Sequence, residues 1–315
     1  MYYPYLRAKQ FELILLKELV SEGVLKDVTL PVLEPINGIS RDLKSAEKFF
    51  KENDFHPYLI INPKFGELKE GVLTDFLGYY WRDNNSTFWP AFIYENNDRF
   101  ILNSIEEYDL DNVMLILLDN FSDTTHLREL CENTSISHIM LLNPENNTSL
   151  SEFIKQTNKI FIRLDDMFQK LVRNADYLPV QARKFTEHHI NYEEKGFDGF
   201  SDFTVLPKSL NDGRGRPYAI VIHFTYIGVN DEVWIRHFTS ESNESEENPQ
   251  GKFAEAASKA TSFCEQNNLS NSAIDILNDY FFIRKSLPAL GVIKKISIKN
   301  HLIVVSDYLR SLKVD

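Results

Sequence analysis

Short, almost continuous apolar runs alternate along this chain with longer stretches in which apolar positions recur every three or four residues. The runs fall at 3–6, 28–33, 58–61, 91–94, 113–118, 138–142 and 160–162. A strand with one wet face alternates apolar and polar positions. Runs apolar at nearly every position read as strands covered on both faces, as in parallel sheets. Their starts lie 22 to 33 residues apart, about the chain that one strand–helix unit requires. The intervening stretches have helical texture. Residues 9–22 put Phe11, Leu15 and Leu19 on one stripe, and Gly23 supplies a stop. Ser40 can cap a helix carrying Leu43, Ala46, Phe49 and Phe50. Ser122 or Asp123 can cap another through Leu127 and Leu130, and Thr148 or Ser149 a third through Phe153.

Seven strands in strand–helix order point to a doubly wound sheet or a barrel. No glycine-rich phosphate turn follows the first strand, and the spacing is regular, which favours the barrel. The segment 203–206 is the best candidate for the eighth strand, after a long stretch at 164–201. Beyond 207 the texture changes. A turn-rich segment at 211–217, carrying Arg214 and Arg216, leads into β-rich runs at 218–226 and 233–238 across a short polar loop, an antiparallel hairpin. Residues 240–250 are acidic and rich in Ser and Asn, and read as a mobile loop. Helical stretches follow at about 251–266 and 271–286, and Leu302–Leu312 closes the structure. The fold class is therefore α/β: a (β/α)8 TIM-barrel-like domain over 1–315, with the 208–250 hairpin and acidic loop as an elaboration and helices at the C-terminus. A separate small domain after 207 is the alternative.

Composition narrows the function classes. With 46 acidic and 34 basic residues the net charge is −12, which argues against a broad nucleic-acid surface. No apolar run approaches the roughly 18 residues that span a bilayer, and the opening Met1-Tyr2-Tyr3-Pro4-Tyr5 does not read as a signal peptide. Cys131 and Cys264 stand outside any CxxC or metal-ligand cluster and read as free thiols in a reducing, cytoplasmic compartment.

Three segments carry a family resemblance. The opening from Tyr3 to Leu13 with Leu30-Pro31-Val32-Leu33-Glu34-Pro35 resembles the start of the bacterial and phage "beta protein" family. Phe185-Thr186-Glu187-His188-His189 with Gly199-Phe200-Ser201-Asp202-Phe203, then Ile235-Arg236-His237-Phe238-Thr239-Ser240, is similar to one bacterial subgroup. Lys294-Lys295-Ile296-Ser297-Ile298-Lys299-Asn300-His301 resembles its C-terminal motif. The resemblance covers nearly the whole chain. It implies a barrel-like fold, a gene often beside a nuclease-like partner, and a setting of phage defence. It implies no agreed reaction and no catalytic residue.

In such barrels function gathers at the C-terminal ends of the strands. The residues just past each run are Arg7 and Lys9, Glu34, Asn62 and Lys64, Glu95, Asp119 and Asn120, Asn143, and Arg163 with Asp165. This polar set could bind an anionic or polar ligand, or form a salt-bridge network across the barrel top. Glu34, Asp119 and Asp165 are the candidate acid–base groups; Arg7, Lys9, Asn62, Lys64, Glu95, Asn143 and Arg163 are the candidate ligand-binding groups. Glu34, Glu95, Asp119 and Asp165 could offer oxygens to magnesium, but they form no local ligand motif, so no metal is assigned. The cofactor is unknown; a pyridoxal phosphate on Lys9 lacks a phosphate loop, and a helix-start lysine explains that residue. His188 or His189 could act with Asp202 as an oriented base; a hydrogen-bonded structural histidine is the alternative. His223 and His237 lie on opposing hairpin strands and could be neighbours, with Arg236 on the other face.

Two functions follow as expectations. One is a partner-binding component of a bacterial phage-defence-like module, with a protein partner that the resemblance makes nuclease-like. The other is an enzyme acting on a phosphate-bearing or polar small substrate at the barrel mouth.

Overall fold

The computed structural model describes residues 1–68, 73–82, 86–119, 125–210 and 218–313. Asn120, the proposed caps Ser122 and Asp123, and the 211–217 turn with Arg214 and Arg216 lie outside the described residues. The chain divides into two compact units, Met1–Asp166 with Asn191–Phe203, and Met167–Ile190 with Thr204–Asp315. The second unit takes in far more chain than the 208–250 segment.

In the first unit strands and helices alternate: β1 (Tyr5–Leu6), α1 (Gln10–Ser21), β2 (Val32–Leu33), α2 (Arg41–Glu52), β3 (Tyr58–Ile60), α3 (Leu73–Trp81), β4 (Trp89–Ile93), α4 (Asp98–Glu107), β5 (Val113–Leu117), α5 (Thr125–Glu132), β6 (Ile136–Leu142), α6 (Thr148–Lys155) and β7 (Ile160–Asp165). The chain then leaves to build β8 (Ala182–Thr186) and most of α7 (His188–Asn191) in the second unit, and returns as β9 (Gly199–Asp202). The eight strands run in the order β1-β2-β3-β4-β5-β6-β7-β9, every pair parallel. A parallel bridge from Tyr2 to Phe200 joins the last strand to the first. The result is the expected TIM-barrel-like α/β architecture.

Local sequence explains the elements. Ser40 Oγ accepts the Leu43 N–H at 3.2 Å and caps α2. Gly23, at φ +70°, takes the left-handed turn after α1. Alternate strand residues fill the barrel interior, among them Tyr5, Val32, Ile60, Ile93, Ile116, Met140 and Leu164.

The eighth strand lies at β9 and not at 203–206. Thr204 has φ +58°, a conformation that a β-branched residue rarely adopts and no strand contains. Gly199 occupies the seam where a side chain would not fit: a Cβ there would lie 2.7 Å from the Tyr3 ring and 2.9 Å from the Met1 carbonyl. Gly, Ser and Asp make β9 a poor strand by composition. Pairing on both sides makes it one anyway.

The second unit contains an antiparallel sheet of β10 (Val221–Ile227), β11 (Val233–Thr239) and β8, with β11 central. Helices α8 (Pro249–Gln266), α9 (Ser272–Asn278) and α10 (Leu290–Ser311) follow, with a five-residue π turn at Asp279–Ile283 between the last two. The hairpin stands as the sequence predicts. The acidic stretch after it is held rather than loose. The Glu255 carboxylate accepts the backbone N–H groups of Glu241 and Ser242, at 2.8 and 2.9 Å, and the Ser242 hydroxyl. No described helix is long and apolar enough to cross a membrane.

Candidate functional site

The C-terminal mouth of the barrel is occupied by an ion pair. The turn from β1 into α1 passes through Ala8 at φ +50° and leaves Arg7 pointing across the strand ends. Its guanidinium meets the Glu34 carboxylate just past β2. The rings of Tyr5, Phe65 and Phe203 stand 5.2, 5.0 and 5.6 Å from the Arg7 guanidinium carbon, so the cation sits in an aromatic box. Burial lowers the guanidinium pKa from its ordinary value. The other Glu34 oxygen accepts the backbone N–H groups of Lys64 and Phe65, at 2.8 and 3.3 Å. The carboxylate has no exposed surface, and both of its oxygens accept hydrogen bonds, from three donors in all.

Beside this plug lies a wetter cluster. Lys64 Nζ is 2.8 Å from Asp119 and 3.6 Å from Glu95, with about half of each carboxylate side chain exposed. The hydrogen bond to Asp119 raises the lysine pKa. Asn62 staples the end of β3 to β4: its amide donates to the Ile93 carbonyl at 2.7 Å and accepts the Ile93 N–H at 2.9 Å. The structure thus brings together Arg7, Glu34, Asn62, Lys64, Glu95 and Asp119.

It places Arg163 and Asp165 elsewhere. Ile162 and Leu164 point into the barrel, so by strand alternation Arg163 and Asp165 face the helix layer. Arg163, with no exposed surface, bonds Asp165 at 2.8 Å and Glu145 at 2.7 Å, and lies 5.1 Å from the Phe197 ring. Burial opposes its charge, and the two carboxylates outweigh burial and raise its pKa. Asn143 is a turn residue at φ +45°, donating its N–H to the Leu164 carbonyl, a conformation that Asn tolerates. Lys9 stands directly before α1, and its N–H reaches the Glu12 carboxylate at 3.4 Å.

Asp202 closes β9 and accepts the buried Tyr2 hydroxyl at 2.7 Å, which together with burial lifts the tyrosine pKa well above its ordinary value. His188 and His189 belong to the second unit. His189 is buried, its Nε2 lies 2.8 Å from the Asp231 carbonyl oxygen, and its ring is packed against Tyr308; the His188 N–H donates to Thr186 Oγ1. Among the described residues no group of three His, Cys, Asp or Glu side chains is arranged to hold a metal. Cys131 and Cys264 are buried free thiols, and burial pushes both up to about 11.

Sequence reasoning missed Tyr2, Phe65 and Glu145. The first two have a usable signal, since Tyr2 lies three residues before β1 and Phe65 five residues after β3, both in segments that lead into or out of a strand. Glu145 has none, because its partner comes from the next strand. A cleft of about 600 Å³ lies beside the start of β7, at the opposite strand end from the mouth, lined by Lys155, Lys159, Phe161, Phe197 and Asp198 among others. No family model, curated protein or solved structure matches this chain.

Proposed function

We propose that this chain is a partner-binding component of a bacterial phage-defence-like module, in which the barrel is a scaffold. The observation that carries this reading is the turn after α9, where Phe282 is 51% and Ile283 76% exposed. Two adjacent large apolar side chains presented to water by one turn form a contiguous apolar spot, the kind of surface that a protein contact covers. Arg284 is exposed but paired with Asp279 at 2.5 Å, and the exposed Lys285 follows it, so the partner that fits has an apolar groove with a carboxylate at its rim for Lys285. The plugged mouth supports the same reading. Glu34, the foremost acid–base candidate, has its oxygens committed to Arg7, Lys64 and Phe65. The resemblance to the beta protein family supplies the partner's class, a nuclease-like product of a neighbouring gene.

The test is co-expression with the adjacent gene's product, followed by size-exclusion chromatography at micromolar concentration. Co-elution that is lost on Phe282→Asp with Ile283→Asp is the expected result. A chain that elutes alone beside its partner overturns the proposal. The second reading, an enzyme for a phosphate-bearing or polar small substrate, rests on Lys64, which is about one-third exposed between Asp119 and Glu95. It requires Asp119→Asn to abolish biological activity without changing the melting temperature.

A further inference from the structure

The second unit contains a pair of imidazoles that the barrel leaves unused. His223 and His237 are directly opposed in the antiparallel ladder of β10 and β11. The His223 N–H turns away from β11 and donates to Ser297 Oγ at 3.2 Å, while the Thr225 carbonyl turns to the Asn300 amide at 2.8 Å. The opposed histidines are therefore a non-hydrogen-bonded pair, the kind whose Cα atoms approach to about 4.5 Å. Their Nδ1 atoms face each other at 2.8 Å. Two such nitrogens hold one proton between them: one ring donates and the other accepts.

The surroundings decide which ring donates. Nε2 of His237 is buried and has no hydrogen-bond partner among the described residues. A proton on that nitrogen would be an unmet buried donor, rarer and costlier than an unused acceptor. His237 therefore carries its proton on Nδ1 and donates it to Nδ1 of His223, whose own proton sits on Nε2. The Tyr177 ring covers both imidazoles, with centroids at 4.9 and 4.5 Å, and Phe168 packs on His223 at 5.1 Å. The Tyr177 hydroxyl is engaged elsewhere, with the Gln169 carbonyl and the Leu171 N–H.

The neighbouring charges oppose a second proton. Arg183 of β8 acts on both rings with like charge, its guanidinium held by Gln169 and the Met167 carbonyl. Arg236 of β11 lies over Phe263 and Phe238, on the other face. Asp176, beside Tyr177, is tied to Arg173 at the surface. From α10, Ser297 takes only the backbone, and His301 bonds the Thr225 hydroxyl.

We propose that His223 and His237 form a proton latch: the neutral pair, in a single tautomeric arrangement, ties β10 to β11, and acid releases it. A proton gained by His237 must sit on the buried Nε2 with no acceptor. One gained by Nδ1 of His223 removes the acceptor of the shared bond. Burial, with His237 and Arg183, holds His223 well below its ordinary value, and burial with Arg183 lowers His237 to about 4. The unfolded chain thus binds more protons below about pH 6.5, and the latch's contribution is complete above that pH and lost as the pH falls towards 4.

The test uses the full chain in two measurements. Nitrogen-15 NMR of the imidazoles at pH 7.5 should show His237 protonated on Nδ1 and His223 on Nε2. Hydrogen exchange of β10 and β11 amides, corrected for intrinsic rates, should accelerate roughly 40-fold between pH 6.5 and 4.5 for one titrating ring. That acceleration should vanish in the variant with His223→Phe and His237→Phe, which keeps ring packing on Tyr177. Both rings protonated on Nε2 and titrating near pH 6.5, or equal acid acceleration in the variant, overturns the latch. If the variant does not fold, the tautomers of the unaltered chain decide alone.

Discussion

The guanidinium of Arg7 and the carboxylate of Glu34 close the top of the barrel as one buried ion pair, their side chains 7% and 0% exposed. They come from the ends of adjacent strands; Glu34 has no exposed surface and Arg7 almost none. Removing one member leaves the other charge buried without its counterion, which costs about 3–5 kcal/mol, whereas replacing both by apolar groups is often neutral. Glu34→Gln and Arg7→Met should each lower stability by about that amount, and Arg7→Met with Glu34→Leu should recover much of it. Urea unfolding of the three variants measures this. A Glu34→Gln protein as stable as the parent would remove the ion pair from any account of the mouth.

Lys64 behaves differently, because its partners Glu95 and Asp119 are half exposed. Surface pairs of this kind contribute about 0–1 kcal/mol. Lys64→Met should change stability by less than about 1 kcal/mol, with a thermal midpoint that depends on salt less than the parent's does. A much larger loss would mean that Lys64 supports the barrel through its packing.

Gly199 marks the seam where β9 meets the start of the chain. In Gly199→Ala the new methyl group would press on the Tyr3 ring and the Met1 carbonyl, and overpacking of this kind costs about 1–3 kcal/mol. Thermal unfolding should show the loss. A neutral Gly199→Ala would mean that the seam opens without penalty and that the Tyr2–Phe200 bridge is dispensable.

His138 predicts the pH response of the first unit. It is the third residue of β6, with its Nδ1 2.6 Å from the Ser137 hydroxyl and 3.0 Å from that of Tyr58, and burial pulls its pKa down to about 4. A histidine depressed in the folded state stabilises above its unfolded pKa, near 6.5, and that contribution is lost as the pH falls towards 4, at roughly 1.4 kcal/mol per pH unit. His138→Asn should therefore flatten the pH dependence of stability between 6.5 and 4. The same slope in variant and parent would assign the acid response to other groups.

Glu255 gathers the acidic segment after β11. Its hydrogen bonds from Ser242 and Glu241 hold its carboxyl below the usual carboxylate range. Glu255→Ala should speed hydrogen exchange at the amides of Glu241 and Ser242 and leave the β10 amides unchanged. Unaltered exchange would show that Lys259, which meets the Thr239 carbonyl at 2.9 Å and Glu241 at 3.1 Å, is enough to hold the segment.

The succession of continuous apolar runs and amphipathic stretches by itself determined a parallel α/β fold, because strands covered on both faces must be apolar throughout, and that composition is local; regular spacing and the missing glycine-rich turn favoured the barrel over an open sheet. It also determined the hairpin, the Ser40 cap and the Gly23 stop, each set by a few neighbouring residues. Only the tertiary structure decided which strand closes the ring: Gly199 and Asp202 become a strand through pairing on both sides, not through propensity. It decided as well that Arg7 and Glu34 meet across strand ends while Arg163 and Asp165 turn to the helix layer. Side-chain direction at a strand end follows register and closure, and both depend on residues far away along the chain.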